Sequence, residues 1–431
     1  MKHRRNVVLI LAVLAFLWAL ATGRDILFNL AYLFALLLIV SYFWAWANIN
    51  WVHLSRVTRA RRTQVGRPLE ERFTVRNTSI VPKLWLEVRD FSSVPSHRVS
   101  QVVNSLGPNA AYSWRVTTIC TRRGRYKLGP LLISTSDPFG FFPMERELTP
   151  TTNVVVYPMT VDIRQFALPV GILPGGDALR RRTHYVTTNA SGVRDYAPGD
   201  SFSRIHWRST ARRDRLIVKE FELDPLADIW IVPDMSSFEQ FASSAPPEPI
   251  ASDDIPSWVR VRDDHFRLHD STEEYVVTVA ASLAQYFLRS DRAVGLLAYG
   301  QSHEVVQADR GERQLNRILE TLSVLRAEGK VPIANVLEAE SHVLPRGSTV
   351  FVITPTTSQN WVVSARQQMR RGLRMVTVLI NPGSFGGPRS NAGVAELLQA
   401  TGITTYLVNN GDDISGTLSS GRVRSRYYAV A

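Results

Sequence analysis

Residues 192–221 read GVRDYAPGDSFSRIHWRSTARRDRLIVKEF. They gather Arg194, Arg204, His206, Arg208, Arg212, Arg213, Arg215 and Lys219 around a Pro-Gly-Asp turn and a lone tryptophan, Trp207. Guanidinium groups at this density grip phosphates, take carboxylates in bidentate pairs, or make a face for a partner. A nucleic-acid grip leaves its positive charge unbalanced and adds exposed aromatics for stacking. Here the cations alternate with Asp195, Asp200, Asp214, Glu220 and Glu222. That mixture favours a structural brace or a docking face, and nucleic acid is not the expected partner. Ala197-Pro198-Gly199-Asp200 fits a type II turn, with proline fixing φ and glycine accepting a positive one. It places Asp200 to cap a short helix containing Ile205 and Trp207. Leu216 to Leu223 reads as a strand leading into a buried one at Ile229.

A second group of residues could hold a cation. ADIWIVPD (Ala227 to Asp234) reads as a buried strand, and it ends in Asp234-Met235-Ser236-Ser237-Phe238. Ligands of open α/β sheets collect outside the carboxyl ends of the strands. A carboxylate with hydroxyls there suits Mg²⁺, a hard cation that wants oxygens. The stretch resembles the metal-dependent adhesion site of von Willebrand factor A domains, which opens Asp-x-Ser-x-Ser. Asp234 and Ser236 match, but Phe238 stands at the third position and offers no oxygen. The threonine loop that the resemblance implies falls near residues 328–332 (EGKVP), where there is no threonine. The later aspartate falls where Thr354 and Pro355 stand. The expected site is therefore a degenerate one, reduced to Asp234 and Ser236.

Other catalytic signatures are absent. Gly329-Lys330 is followed by Val331, so there is no phosphate-cradling loop. His303-Glu304-Val305-Val306-Gln307 lacks the second histidine of a zinc protease and sits in strand-like context. Gly383-Ser384-Phe385-Gly386 has the wrong spacing for a nucleophile elbow. No Cys or His cluster suggests a metal, and Cys120, the single cysteine, reads as a small core residue in a reducing compartment. The chain is expected to be no enzyme and to need no cofactor.

The elements that carry these residues fall into five parts. At 431 residues there is room for two or three domains. A hydrophobic fraction of 45% with 20% charged residues excludes wholesale disorder. The net charge of +12 points to an anionic neighbour, and anionic phospholipid supplies one. Asn6 to Thr22 and Ile26 to Ala47 are apolar runs separated by Gly23, Arg24 and Asp25. They predict a two-helix transmembrane hairpin over residues 1–50 rather than a cleaved signal. Lys2, Arg4 and Arg5 precede it and Arg56, Arg59, Arg61 and Arg62 follow, so both termini are expected on the cytoplasmic side of an inner membrane. Tyr42, Phe43, Trp44, Trp46 and Trp51 supply the interfacial aromatic belt.

From residue 51 to 158 the strands FTVRN, LWLEVRD, SWRVTTICT, YKLGPLLIS and NVVVYP alternate apolar and polar residues, which predicts a small antiparallel β-sandwich. Phe139, Phe141 and Phe142 in DPFGFF are expected packing anchors. Residues 159–226 form a connector with the Arg180, Arg181, Arg182 run and the arginine-rich segment. Strands and helices alternate over 227–410, the pattern of an open, mostly parallel α/β sheet of von Willebrand A-like or Rossmann-like kind. Its helices include one from Ser271 to Ser290 with a capping box at Ser271-Thr-Glu-Glu274. The insertion after Phe238, rich in Pro and acids, is expected to cap that end of the sheet, to present it, or to pair Asp253, Asp254, Asp263 and Asp264 with the arginines. A tail covers 411–431.

The arginine-rich segment also resembles a family signature. Arg194-x-Tyr196-x-Pro198-Gly199-Asp200, then Arg204-Ile205-His206-Trp207, Ala211-Arg212 and Val218-Lys219-Glu220-Phe221, is similar to the bacterial family catalogued as domain of unknown function 58. The hairpin, RRGRYKLGP, DPFGFF and the degenerate von Willebrand A-like domain fit the same family, which often carries Asp at the position of His206. The resemblance implies a membrane-tethered adaptor of a MoxR-type AAA+ ATPase, with a transglutaminase-like membrane protein as a further associate. Arg194, Tyr196, Pro198, Gly199, Asp200, Arg204, His206, Trp207, Arg208, Arg212, Lys219 and Glu220 are the expected docking residues. A metal-dependent hydrolase or adhesion module at Asp234 and Ser236 is the alternative.

Overall fold

Helix α1 (Lys2–Thr22) turns at Gly23, which adopts φ 67°, into α2 (Asp25–Ile49). Both helices are long and apolar enough to cross a membrane. Ala15, Ala19 and Ala31 are buried between them, where small side chains let two helices approach closely. Phe16 and Phe28 meet edge to face at 6.2 Å. The computed structural model describes residues 2–97, 99–148, 151–164, 166, 190–196, 205–221, 228–242 and 268–419. These residues divide into two compact units, one running through Met159 and the other from Thr160 onward.

Helix α2 passes directly into ten strands: β1 (Val52–Thr58), β2 (Arg62–Gln64), β3 (Pro68–Asn77), β4 (Lys83–Asp90), β5 (Gln101–Leu106), β6 (Ala111–Ile119), β7 (Gly124–Leu128), β8 (Leu131–Thr135), β9 (Met144–Leu148) and β10 (Thr152–Tyr157). One sheet has the order β1-β3-β6, another β5-β4-β8-β9, and a third β2-β10-β7. Val52 and Val75 of the first sheet pack on Leu86, Val88, Val103, Leu106 and Ile133 from the second, so the two lie face to face. Three sequence expectations need correction. The pairing is not wholly antiparallel, because β10 runs parallel to β2. YKLGPLLIS forms two strands in different sheets, divided at Gly129-Pro130, where proline has no N–H to give a ladder. Phe139 is exposed rather than anchored, stacked on the buried Phe141 at 5.5 Å.

In the second unit a two-stranded antiparallel ribbon, β11 (Ala190–Asp195) and β12 (Ile217–Phe221), carries the short helix α3 (Trp207–Arg213) between its strands. Strands β13 (Ile229–Pro233), β14 (Val294–Tyr299), β15 (His303–Asp309), β16 (Thr349–Thr354), β17 (Arg374–Ile380) and β18 (Thr404–Val408) then form one sheet in the order β15-β14-β13-β16-β17-β18. All neighbours are parallel except β15, which pairs antiparallel with β14. β13 and β16 are buried at every position, as parallel strands covered on both faces must be. The covering helices are α4 (Thr272–Arg289), α5 (Gly311–Val324), α6 (Ile333–Ala339), α7 (Asn360–Arg370) and α8 (Ala392–Ala400). Trp230 and Trp361 are fully buried in the main core cluster. Trp230 lies so close to Gly295 that a Cβ there would meet its ring at 2.9 Å. A last helix, α9 (Ile414–Ser419), packs on β18 through Ile414 and Leu418, so part of the expected tail is folded.

The capping box on α4 is absent: Ser271 is the N-cap residue but its side chain makes no cap bond. The helix start is held instead by Phe241, whose carbonyl accepts from Thr272 N at 2.9 Å and whose own N–H donates to Thr272 Oγ1 at 2.9 Å. Pro198, Gly199, Asp200, Arg204, the Arg180-Arg182 run, residues 243–267 of the insertion and residues 420–431 lie outside the described residues.

Candidate functional site

The arginine-rich segment builds outward from three buried residues, Ile205, Ile217 and Val218. Arg194 faces Val218 across the ribbon, Val193 faces Lys219 and Gly192 faces Glu220. Tyr196 N donates to Leu216 O at 2.9 Å and His206 N to Ile217 O at 2.8 Å, so the chain is pinned on both sides of α3. His206, not Asp200, is the N-cap of that helix. Its Nδ1 accepts from Ser209 N at 3.3 Å and lies 2.7 Å from Ser209 Oγ. Ile205 lies before the helix, in a bridge with Val218. Asp214 ends the helix in the left-handed conformation at φ 50°, which Asp tolerates better than most residues.

No residue of α3 is buried. Trp207 is 66% exposed, and Arg208, Arg212 and Arg213 are exposed beside it. Arg215 pairs with Asp195 at 2.9 Å, but both side chains are more than half exposed, so the pair adds little stability. A brace needs desolvated pairs, and this helix turns its cations and its one aromatic ring to solvent. The structure thus gathers Arg194, Tyr196, His206, Trp207, Arg208, Arg212, Lys219 and Glu220 into one ribbon-and-helix element.

Asp234 and Ser236 also come together, at the point between β13 and β16 where the strand order reverses. Asp234 Oδ2 accepts from Thr354 Oγ1 at 2.6 Å and Oδ1 accepts from Ser236 N at 3.1 Å. All three residues are buried. Burial pushes the Asp234 carboxyl upward, and the bonds from Thr354 and Ser236 offset only part of that. Ser236 Oγ is itself buried and makes no bond of good geometry. Gly329 seals the site: it bridges Ser236, its N–H donates to Met235 O at 3.0 Å, and a Cβ on it would lie 2.2 Å from Tyr299 O. Mg²⁺ demands a near-octahedral set of oxygens. Mg²⁺ also keeps several waters, and the one carboxylate here is buried with both oxygens already accepting from protein donors. Phe238 is exposed and contributes no oxygen. The residues present do not fit a Mg²⁺ ion.

A third cluster lies in the first unit and was not expected. Arg56 Nε donates to Glu71 Oε1 at 2.8 Å, and its Nη2 donates to Glu71 Oε2 at 3.1 Å and Asp90 Oδ2 at 2.5 Å. His97 Nε2 lies 3.0 Å from both Glu71 Oε2 and Asp90 Oδ2, while its Nδ1 is 2.8 Å from Thr118 Oγ1. Ser92 and Thr58 donate to the same carboxylates at 2.7 and 2.9 Å. Burial alone would raise Glu71 and Asp90, but His97 and Arg56 outweigh it and hold both below the usual range. Burial would likewise lower His97, yet the two carboxylates win and raise it. Glu71, Asp90 and His97 have the makings of a metal trio by distance. The guanidinium of Arg56 already occupies the cation's place, so the cluster is a self-neutralised network. One signal for it exists in the sequence: Glu71 has the inward parity of Leu69, Phe73 and Val75 along β3.

Comparisons with known proteins come from both sequence and structure. The "Uncharacterized protein YeaD" of Bacillus subtilis (strain 168) is 21% identical over 221 residues, which cover 51% of this chain and 47% of that protein. The chain thus spans about half the length of the curated relative it matches. Among solved structures, the CARDB domain of the PF1109 protein from Pyrococcus furiosus covers 24% of this chain and 86% of its own, at 18% identity and TM-score 0.19. Proximal thread matrix protein 1 from the mussel byssus covers 36% of this chain and 38% of its own, at 12% identity and TM-score 0.24. Likenesses this weak carry no argument. The segment that forms β11, α3 and β12 is where the family emerges: residues 192–248 match the family described as "Protein of unknown function DUF58".

Proposed function

We propose that this chain is a membrane-anchored, non-enzymatic interaction protein whose docking face is α3 on the β11–β12 ribbon. The observation that carries the reading is the exposure of Trp207 beside Arg208 and Arg212 on a helix that buries nothing. Trp and Arg dominate the energetic centres of protein interfaces. The hairpin α1–α2 is the anchor, with both termini on the cytoplasmic side of the inner membrane. Arg56, Arg59, Arg61 and Arg62 just beyond the hairpin support that orientation. The partner proposed from the family resemblance is a MoxR-type AAA+ ATPase, with a transglutaminase-like membrane protein as a second associate and anionic phospholipid beneath. The strand order and the one antiparallel edge favour a von Willebrand A-like sheet that has lost its metal site.

The test is a crosslinked pull-down from native membranes with the full-length chain as bait and ATP present. An AAA+ ATPase is expected among the specific hits, and Trp207→Ala with Arg208→Ala and Arg212→Ala should abolish its capture while the protein stays folded. Unchanged capture would remove the docking role from α3. The alternative, a metal-dependent hydrolase or adhesion module at Asp234, is less favoured because that carboxylate is buried and already bonded to protein donors. Calorimetry with Mg²⁺ or Mn²⁺ decides it, since heat that disappears in Asp234→Ala would revive that reading.

A further inference from the structure

The geometry points to a membrane-contacting face on the β-sandwich: two pinned loops beside the end of α2 insert apolar side chains into the bilayer interface. The inference rests on the reading of α2 as a membrane span, and it makes the sandwich a domain seated on the lipid rather than a spacer held above it.

The first loop, residues 78–82, is tied to the helix exit. Thr78 donates from both N and Oγ1 to Trp51 O at 2.9 Å. Its shape is set by Asn77, fully buried, whose Nδ2 donates to Val81 O at 2.8 Å and Gly107 O at 2.9 Å and whose Oδ1 accepts from Ser79 N at 3.0 Å. The result is a stiff loop that presents Ile80 at 82% exposure. The second loop, Asp137 to Phe142, is built the same way. Asp137, buried, accepts from Phe139 N at 3.0 Å and Phe142 N at 2.7 Å, leaving Phe139 52% exposed. Single exposed apolar residues are ordinary. Two rigid loops that each spend a buried polar residue to display one, both beside the same helix end, are not.

Their depth follows from the helix. α2 has 25 residues, about 37 Å at 1.5 Å per residue, against a hydrocarbon core of about 30 Å. A span beginning at Ile26 therefore leaves the core about 20 residues later, near Ala45. Phe142 meets Tyr42 edge to face at 5.5 Å and lies under the guanidinium of Arg5 at 5.8 Å, so the second loop sits at the level of the span's last turn. Asn48 Oδ1 accepts from Leu84 N at 2.9 Å and its Nδ2 donates to Leu84 O at 2.6 Å, and Lys83 Nζ donates to Ala47 O. These bonds fix β4 and the first loop to the turn just beyond. The aromatic belt and both loops thus share one layer, where amphipathic rings and short aliphatics are favoured.

The test places single environment-sensitive labels on the full-length protein in vesicles of phosphatidylcholine and phosphatidylglycerol. Cys120 is buried with its thiol pushed up to about 12, so introduced cysteines alone react. Ile80→Cys and Phe139→Cys probe the loops, Val57→Cys on β1 probes an exposed position away from the helix, and Leu33→Cys probes mid-span. Labels at Ile80 and Phe139 should be quenched by lipids spin-labelled near the headgroup and protected severalfold from aqueous iodide relative to Val57. Loop labels that behave like Val57 while Leu33 is quenched by lipid would overturn the seated-domain inference alone. Iodide access at Leu33 would overturn the span as well as the inference.

Discussion

Arg56 and Glu71 meet as a two-bond fork inside the β-sandwich, Nε to Oε1 at 2.8 Å and Nη2 to Oε2 at 3.1 Å. Neither side chain has water to fall back on: Glu71 is 0% exposed and Arg56 9%. Asp90 and His97 complete the network, with His97 Nε2 3.0 Å from both carboxylates. Removing one member strands the others, and breaking a buried pair costs about 3–5 kcal/mol. Glu71→Gln is expected to destabilise the first unit by that order, read as a lower midpoint of thermal unfolding in detergent.

The same network sets a pH window. His97 is raised above its ordinary value of 6.5, so its contribution is complete below that pH and is lost as pH rises through the folded value. Glu71 and Asp90 are lowered from 4.5 and 3.8, so theirs is complete above those values and is lost as pH falls. The first unit should be most stable between roughly pH 4.5 and 6.5 and weaken on both sides. His97→Gln should flatten the alkaline limb and weaken the acid limb as well, because His97 is one of the two groups that hold Glu71 and Asp90 down. An alkaline limb unchanged in that variant would show that another group is responsible.

Asp234 has the opposite sign. Its carboxyl is raised by burial, so it stabilises the second unit when protonated and its contribution is lost as pH rises from the ordinary carboxylate range toward the folded value. Asp234→Asn keeps an oxygen for Ser236 N and supplies an N–H for Thr354 Oγ1. It should therefore be tolerated, with a gain over the parent that grows as pH rises above the ordinary carboxylate range. Asp234→Ala removes both bonds and leaves Thr354 Oγ1 and Ser236 N short of partners in a dry site, a loss of about 1–3 kcal/mol. Equal loss in both variants at all pH values would contradict a carboxyl raised by burial.

The legible parts of the molecule are those where one physical rule acts alone. Parallel strands covered on both faces become near-continuous apolar runs, and IWIVP, TVFVIT and RMVTVLI mark β13, β16 and β17. The short strands of the sandwich escape because nothing in them alternates strongly: MEREL of β9 has no buried residue and RTQ of β2 is three residues long. Two capping expectations were displaced, one by a tertiary contact, with Phe241 taking the role assigned to Ser271-Glu274, and one locally, with His206 at the N-cap position taking that assigned to Asp200. The Glu71–Asp90–His97 cluster draws on β3, β4 and the turn before β5, and because β3 and β4 belong to different sheets only the packing of one sheet on the other brings them together.

Cys120 sits in a core cluster with Val65, Leu69, Leu128 and Val154. Burial, aided by the negative charge of Glu71, pushes its thiol up to about 12. The thiolate is the reactive form, so the native protein should resist maleimide at neutral pH. One equivalent should react after denaturation. Rapid labelling of the folded chain would mean that this sheet region opens readily.

His206 offers the sharpest separation between a structural and a docking role in the signature segment. Its ring caps α3 through Ser209, while its neighbour Trp207 faces solvent. Loss of an N-cap costs about 0.5–2 kcal/mol, which a seven-residue helix with no buried face cannot recover elsewhere. His206→Ala should therefore fray α3, seen as faster amide exchange at Ser209 and Thr210, and should weaken partner capture through disorder of the docking face. Asp is among the best N-cap residues, so His206→Asp should restore both the protection and the capture. Trp207→Ala should do the reverse, leaving amide protection intact while capture fails. If His206→Asp restores protection without capture, the imidazole itself belongs to the docking face.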